Sequence, residues 1–428
     1  MFRIPRGLIP SLMLWSGLAQ GKSEPVIFDP VDVYYPRSDS VGEAGTVLED
    51  TVMAPLINPA GVGGIHWESS PGIGKLNFPF PYVGGFSTDP KVHNSSKFMD
   101  YFLNPSLIGK EGFLGENPEE SFLIRRSIMA NVVVKRFQFS AFTNEEVVAL
   151  KGEDNEPALE SGQWNLWYKK SQGTLVGLAI PLGRAGNIGI SGGSVQMGLG
   201  KKQFATVDEI VTDAADGGLF QDGLHRYQGA FLNVGIHFRP VLRKNSFVPS
   251  FSINVRDLGG TTLARTKKPE TEEDFVYTTP YERTEGVDFF RPQNTAIGLG
   301  LSSPGLAGFF FPHLTVGVQQ LGNPDVELAD EVSGGLEIDL GEPGDGAPIR
   351  ISSGFSKRSR GVSVILDLGL IGAVAGVKQY QVHNREFTRS GFLVFTDLAN
   401  ITTSKGKKYL SKRRSFSFGN FIPKIFLH

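Results

Sequence analysis

The chain has 428 residues, 53 of them glycine and 32 phenylalanine, with a formal net charge of −2. It contains no cysteine, which excludes a disulfide framework, thiol chemistry and a cysteine-ligated metal. The slightly acidic balance excludes a chain built throughout to hold nucleic acid, and glycine at this density is costly in helices.

Residues 1–21 read as a secretory signal: Arg3 and Arg6 form a positive end, Leu8 to Leu18 an apolar core, and Ala19-Gln20-Gly21 a small-residue cleavage site. An N-terminal membrane anchor is the alternative. Residues 22–57 are polar and loop-like, with a short helix expected around Val47 to Leu56. PLINPAGVGGIHW (55–67) is rich in turn residues, and the first strand is expected in KLNFPFPYVGG (75–85). SKFMDYFLNPSLIGK (96–110) reads as helical up to Asn104, where Pro105 breaks it.

From Asn131 onward, strands with a period of two follow one another. RFQFSAF (136–142), QWNLWYKK (163–170), GTLVGLAIPL (173–182), NIGISGGSVQM (187–197), YQGAFLNVGIHF (227–238) and FVPSFSINVRDL (247–258) each alternate. TAIGLGL (295–301), FFPHLTVGVQQ (310–320) and VSGGLEIDL (332–340) continue the series, and GFLVFTDL (391–398) ends it. The clearest pattern lies at 347–382. Ile349, Ile351 and Phe355 oppose Arg350, Ser352 and Gly354, and after KRSRG (357–361) the residues Val362, Val364 and Leu366 share one face. GLIG (369–372) then offers a tight reversal.

About fourteen strands of roughly ten residues, apolar on one face and small or polar on the other, predict an all-β fold: an antiparallel transmembrane β-barrel with an N-terminal plug segment. A soluble β-sandwich alternates too. The connections favour the barrel: some are tight, such as LGRAGN (182–187), while 151–162, 200–226 and 265–290 are long and charged. Leu366 and Val234 are expected to face lipid, Asp367 and Asn233 the lumen, and 265–290 to lie exposed outside the membrane. The expected organisation is a signal peptide (1–21), a plug or hatch (22–74), the barrel (75–398), and a basic, aromatic tail or closing strand (399–428). The mean hydropathy of −0.10 does not oppose this, because barrel strands carry their lipid face at alternate positions only.

At PLINPAGVGG (55–64) the sequence resembles outer-membrane barrels of the FadL and PorV type, including TraF-like relatives. Asn58, Pro59 and Ala60 match the Asn-Pro-Ala tripeptide of their plug region, followed here by Gly61. SINVRDLGGT (252–261) and RISSGFSKRSRGVSVILDLG (350–369) look similar as well. The resemblance implies a fourteen-stranded barrel with a hatch, in the cell outer membrane. It also implies either uptake of small hydrophobic compounds or service as a scaffold for secretion or surface attachment of partner proteins. The uptake reading needs an apolar pocket near the hatch, for which Ile57, Ile65, Trp67, Phe78, Phe80 and Tyr82 are the candidates. These same aromatics are equally suited to packing or to an interfacial girdle. Membrane lipids are the expected partners, with a small hydrophobic ligand or envelope proteins beside them, and no nucleic acid.

Gly189-Ile190-Ser191-Gly192-Gly193 fits the serine-hydrolase pattern G-x-S-x-G, yet it stands in a glycine-rich alternating stretch without the helices that such a fold needs. The seven histidines show no metal-ligand spacing and there is no phosphate loop. No catalytic residue, metal or cofactor is expected.

Overall fold

The computed structural model describes residues 54–63, the strands between Pro79 and Asp397, and most of their connections. Residues 1–53, 64–78, 88–121 and 398–428 lie outside the described residues, as do several internal stretches, the longest being 153–161, 240–246, 270–276 and 341–348. The expected signal peptide, the helix at 96–104 and the basic tail fall there. So do Ile65, Trp67 and Phe78.

Seventeen strands, β1 to β17 in chain order, form one sheet in which every pairing is antiparallel. β1 (Pro79–Ser87) pairs with β2 (Phe122–Val134), which leads through β3 (Phe137–Lys151), β4 (Trp164–Pro181) and β5 (Gly186–Phe204) to β6 (His225–Phe238) and β7 (Val248–Arg256). β7 pairs with β11 (Asn294–Ser302), and β12 (Phe310–Val318), β13 (Val332–Leu340), β14 (Ile349–Ser356), β15 (Ser359–Asp367), β16 (Ile371–Val382) and β17 (Arg385–Asp397) follow. β17 then pairs with β1, from Pro79↔Asp397 to Ser87↔Ser390. The pairings therefore return to their start after fourteen strands. A ring without edges satisfies extended backbone inside lipid, where no water offers hydrogen bonds.

The number fourteen agrees with the sequence reading, but by compensation. QWNLWYKK and GTLVGLAIPL are one strand, β4, whose 18 residues cross the expected break at Ser171 and Gln172 without interruption. β2 lies mostly before Asn131; its Arg125 and Arg126 hide the alternation. The 200–226 segment is not all loop either. β5 runs on to Phe204, and a helix, Val207–Ala215, follows before β6 opens at His225.

The two faces of the ring differ in kind. Val176 and Ile180 on β4, Ile188 and Ile190 on β5, Leu232 and Ile236 on β6, Leu299 on β11, Val316 on β12, and Val362, Val364 and Leu366 on β15 are all exposed. Val234, half-buried, shares their face with Leu232 and Ile236. Opposite them, Gln138, Ser140, Ser191, Asn233, Ser252, Asn254, Ser333, Glu337, Ser352 and Ser363 are buried. Leu366 and Val234 thus point outward and Asn233 inward, as the alternation demands; the side chain of Asp367 lies outside the described residues. An apolar exterior around a largely polar interior is the pattern of an outer-membrane barrel, with lipid as its surroundings. No described helix is long and apolar enough to cross a membrane.

By the strand order, the tight β2–β3 and β4–β5 reversals lie at one end, and the longer β3–β4, β5–β6 and β7–β11 connections lie at the other, together with the tight β14–β15 and β16–β17 reversals. The β7–β11 connection builds a second tier on the wall. β7 stops at Arg256, a turn with positive φ at Asp257, Gly259 and Gly260 follows, and β8 (Thr261–Lys267) takes over the pairing with β6. β10 (Asp288–Arg291) pairs with β8, and β9 (Arg283–Glu285) with β10. Within the 265–290 stretch, expected as an exposed loop, Lys267, Lys268 and Glu285–Val287 are exposed, while the described part of 277–282 is docked. Tyr277, Thr279, Tyr281 and Glu282 are all buried.

Candidate functional site

The segment Ala54–Gly63 lies inside the ring, towards the short-turn end. Its shape follows from two residues. A single helical turn, α1 (Ala54–Ile57), is closed by the Asn58 N–H donating to the Ala54 carbonyl at 2.8 Å. Pro59 has no N–H and disfavours helical geometry in the residue before it, so the turn stops at Asn58. A 3-10 turn, Pro59–Gly63, starts at once, with the Gly61 N–H on the Asn58 carbonyl at 2.9 Å. The Asn58 side chain braces the junction: its Oδ1 accepts the Ala60 N–H at 3.1 Å.

The wall receives this segment with missing side chains and with amides. A β-carbon on Gly189 of β5 would stand 2.1 Å from the Ala60 nitrogen, and one on Gly235 of β6 would stand 2.0 Å from Asn58 Oδ1. Only glycine permits so close an approach. The Pro55 carbonyl accepts hydrogen bonds from the Ser191 hydroxyl and from Asn233 Nδ2, the latter at 3.2 Å, while Asn254 Nδ2 donates to the Ile57 carbonyl. Asn233 is itself oriented by the Asp257 N–H, which donates to its Oδ1 at 3.0 Å. Ser191, Asn233 and Asn254 come from three neighbouring strands because Ser191↔Asn233 and Gly235↔Asn254 are register partners. Each buried donor answers a carbonyl that the short helical turns leave open.

Above the segment the lumen face turns apolar. Leu56 and the half-buried Ile57 pack into a cluster with Met129 of β2, Phe142 of β3, Leu175 of β4, Val195 and Met197 of β5, and Phe231 and Tyr227 of β6. The cluster continues to Leu263 of β8, Phe289 of β10 and Tyr277. It forms an apolar strip inside the barrel, from the Asn-Pro-Ala segment to the long-loop end. Across the lumen the wall is charged: Arg350 pairs with Asp339 and, at 3.3 Å, with Glu337, which also accepts Ser352 at 3.1 Å. No group of three or more described His, Asp or Glu residues could hold a metal ion.

At the long-loop end a small hairpin turns in over the lumen. The Thr284 N–H donates to the Tyr277 carbonyl at 2.7 Å, and Thr279 N–H to the Glu282 carbonyl at 2.8 Å. The Tyr277 ring stacks on Phe289, with centroids 6.2 Å apart. From the tip, Glu282 receives Lys169 Nζ of β4 on both oxygens, at 2.9 and 3.0 Å. Its neighbour Tyr281 donates to Glu331, just before β13, at 2.7 Å. β4 and β13 are far apart around the ring, so adjacent residues of one tip bind two distant walls.

Of the residues singled out from sequence, Asn58, Pro59, Ala60 and Gly61 are brought together with the wall, and Ile57 joins the apolar cluster. Phe80 and Tyr82 stand on β1, between β17 and β2, and their side chains lie outside the described residues. Sequence reading missed Gly189, Asn233, Gly235 and Asn254 as the cradle. The serine of the hydrolase-like pattern belongs to that cradle: Ser191 stands in mid-strand and donates to Pro55. The legible signal was a run of Gly, Ser and Asn at inward positions of three successive strands. Lys169 and Glu282, 113 residues apart, gave none.

No family model and no curated protein matches the sequence. Among solved structures the chain is similar to the CymD monoaromatic hydrocarbon channel, at 7% identity and a TM-score of 0.43, covering 86% of this chain and 97% of that one. It is similar to the Ralstonia pickettii toluene transporter TbuX, at 10% identity and a TM-score of 0.42, with 86% and 98% covered. A third similarity is to the transport unit of the autotransporter AIDA-I from Escherichia coli, at 9% identity and a TM-score of 0.33, with 85% and 99% covered.

Proposed function

We propose that this barrel is a passive outer-membrane conduit for small hydrophobic compounds, with Ala54–Gly63 as the described part of its N-terminal hatch. The observation that supports this reading is the apolar strip on the lumen face, from Leu56 and Ile57 to Tyr227 and Phe289. A water-filled pore for polar solutes presents polar side chains inside. Apolar side chains there offer a path on which a hydrocarbon sheds its water, a gain of about 25 cal/mol per Å² of apolar contact removed from water. The hatch is held by hydrogen bonds and close contacts on one wall, an attachment that can be released without opening the ring.

The test is uptake of radiolabelled small apolar compounds by cells that lack other channels, with and without the protein, and with Leu56→Ser in the hatch. Expression is expected to raise the initial rate several-fold, and Leu56→Ser to lower that gain. Equal rates with and without the protein would sink the reading. One observation favours a second one, a non-transporting scaffold for envelope proteins: chain segments stand over the lumen at both ends. In that case apolar uptake is absent while partner proteins are lost from the surface of cells without the barrel.

A further inference from the structure

We propose that the hairpin carrying Tyr277, Thr279 and Tyr281–Glu285 is a gate over the long-loop mouth, latched shut by the Lys169–Glu282 ion pair. Lys169 sits on the inward face of β4, between Trp167 and Ser171, and all three are at most 1% exposed. Glu282, at 2%, meets it with both oxygens. A buried bidentate pair is an expensive way to hold a surface loop, since both ions must lose their water. It is an effective latch for the same reason. Once parted, both charges rehydrate, so the closed and open arrangements are distinct states and not a continuum.

The geometry distinguishes a gate from ordinary packing. The hairpin stands on the second tier, where, among the described residues, β9 pairs with β10 and β10 with β8. Its base packs on that tier through Tyr277 and Phe289. Its tip is fastened to parts of the molecule outside that tier: Glu282 to β4, and Tyr281 and Arg283 to Glu331 and, at 3.4 Å, Asp325 of the connection between β12 and β13. Among the described residues, a rotation about the base therefore leaves every strand pairing of the ring in place. Beneath the tip begins the apolar strip on which the conduit reading rests.

The test reads access, not transport, so that the gate and the conduit can fail separately. The chain has no cysteine, so Ser171→Cys gives a single thiol on the lumen face, one inward position below the latch. A membrane-impermeant thiol reagent is added to intact cells. Labelling is expected to be slow in Ser171→Cys alone and at least about tenfold faster when Glu282→Ala is added, the change that a 1.4 kcal/mol shift of the closed state produces. The exchange Lys169→Glu with Glu282→Lys is expected to restore slow labelling, which a merely structural disturbance would not do. Heat-modifiable migration on gels checks that each variant is a folded barrel. Should Glu282→Ala not fold, the charge exchange decides: slow labelling supports the latch and fast labelling overturns it. Equal rates in Ser171→Cys with and without Glu282→Ala also overturn it. Apolar uptake with unchanged labelling would leave the conduit standing without its gate.

Discussion

Asn58 Oδ1 occupies the place where Gly235 would carry a side chain, 2.0 Å from where its β-carbon would be. The same holds at Gly189, whose β-carbon would meet the backbone of Pro59 and Ala60. Gly189→Ala and Gly235→Ala are therefore expected to push the Ala54–Gly63 segment off the wall while the fourteen-stranded ring stays closed. Single-channel conductance in planar bilayers should rise in both variants, and in a deletion of 55–67, with heat-modifiable migration retained. Conductance at the wild-type level in all three would mean that the segment is not the barrier.

The assignment of faces makes a depth-dependent prediction. Val234→Arg and Val364→Arg place a cation in the apolar belt and should each cost about 2–4 kcal/mol of barrel stability. Gln228→Arg lies on the same outer face of β6, six residues from Val234 towards the long-loop end, and should cost about 0–1 kcal/mol. Urea unfolding in lipid vesicles measures the difference. Equal costs at all three positions would place the belt elsewhere.

Ion pairs should differ in value with their burial. Lys169→Ala takes the bidentate cation away from buried Glu282 and should destabilise the protein by about 3–5 kcal/mol. Arg283→Ala removes an exposed pair with Glu285 and Asp325 and should cost about 0.2–1 kcal/mol. The same unfolding assay ranks the two. A Lys169 variant as stable as the Arg283 variant would mean that the buried pair contributes little.

Protease access should follow the structure and not the charge of the 265–290 stretch. On intact cells trypsin is expected to reach Lys267, which is exposed, whereas chymotrypsin should spare Tyr277 and Tyr281, which are buried. With Glu282→Ala both tyrosines should become sensitive. Rapid chymotryptic cleavage of the parent protein would show that the hairpin is not docked at rest.

What was legible in the sequence is what obeys a local rule. Val362, Val364 and Leu366 reveal a lipid-facing strand because side-chain direction has a period of two, and Asn58-Pro59 reveals a stop because proline restricts its neighbour. β4 was divided because Lys169, Lys170, Ser171 and Gln172 look like a turn. Two of them, Lys169 and Ser171, are inward residues whose surroundings come from distant parts of the chain. The cradle was half legible. Gly189, Ser191, Asn233 and Gly235 are visibly small or polar, but which of them touch the hatch depends on strand register, which no single strand contains. The Lys169–Glu282 pair was beyond reach, since only the folded ring brings those residues together. In the charged 265–290 stretch Lys267, Lys268 and Glu285 are exposed as charge predicts, and Glu282 departs from it for the same reason: charge predicts exposure only until a partner is buried beside it.

The strands are unequal in length, and this gives the molecule a tall side and a low side. β5 has 19 residues and β14 has 8, which at about 3.4 Å per residue means roughly 65 Å of strand against 27 Å. A membrane crossing uses about 9–11 residues, so β4 and β5 are far longer than a crossing needs, while β14 and β15, with 8 and 9 residues, are not. Even the outward residues Trp164, Leu166 and Tyr168 are buried on the long-loop part of β4. On the conduit reading, a molecule arriving along the membrane surface meets a parapet at β4 and β5 and a low sill at β14 and β15, so its approach to the gated mouth is easiest from the low side.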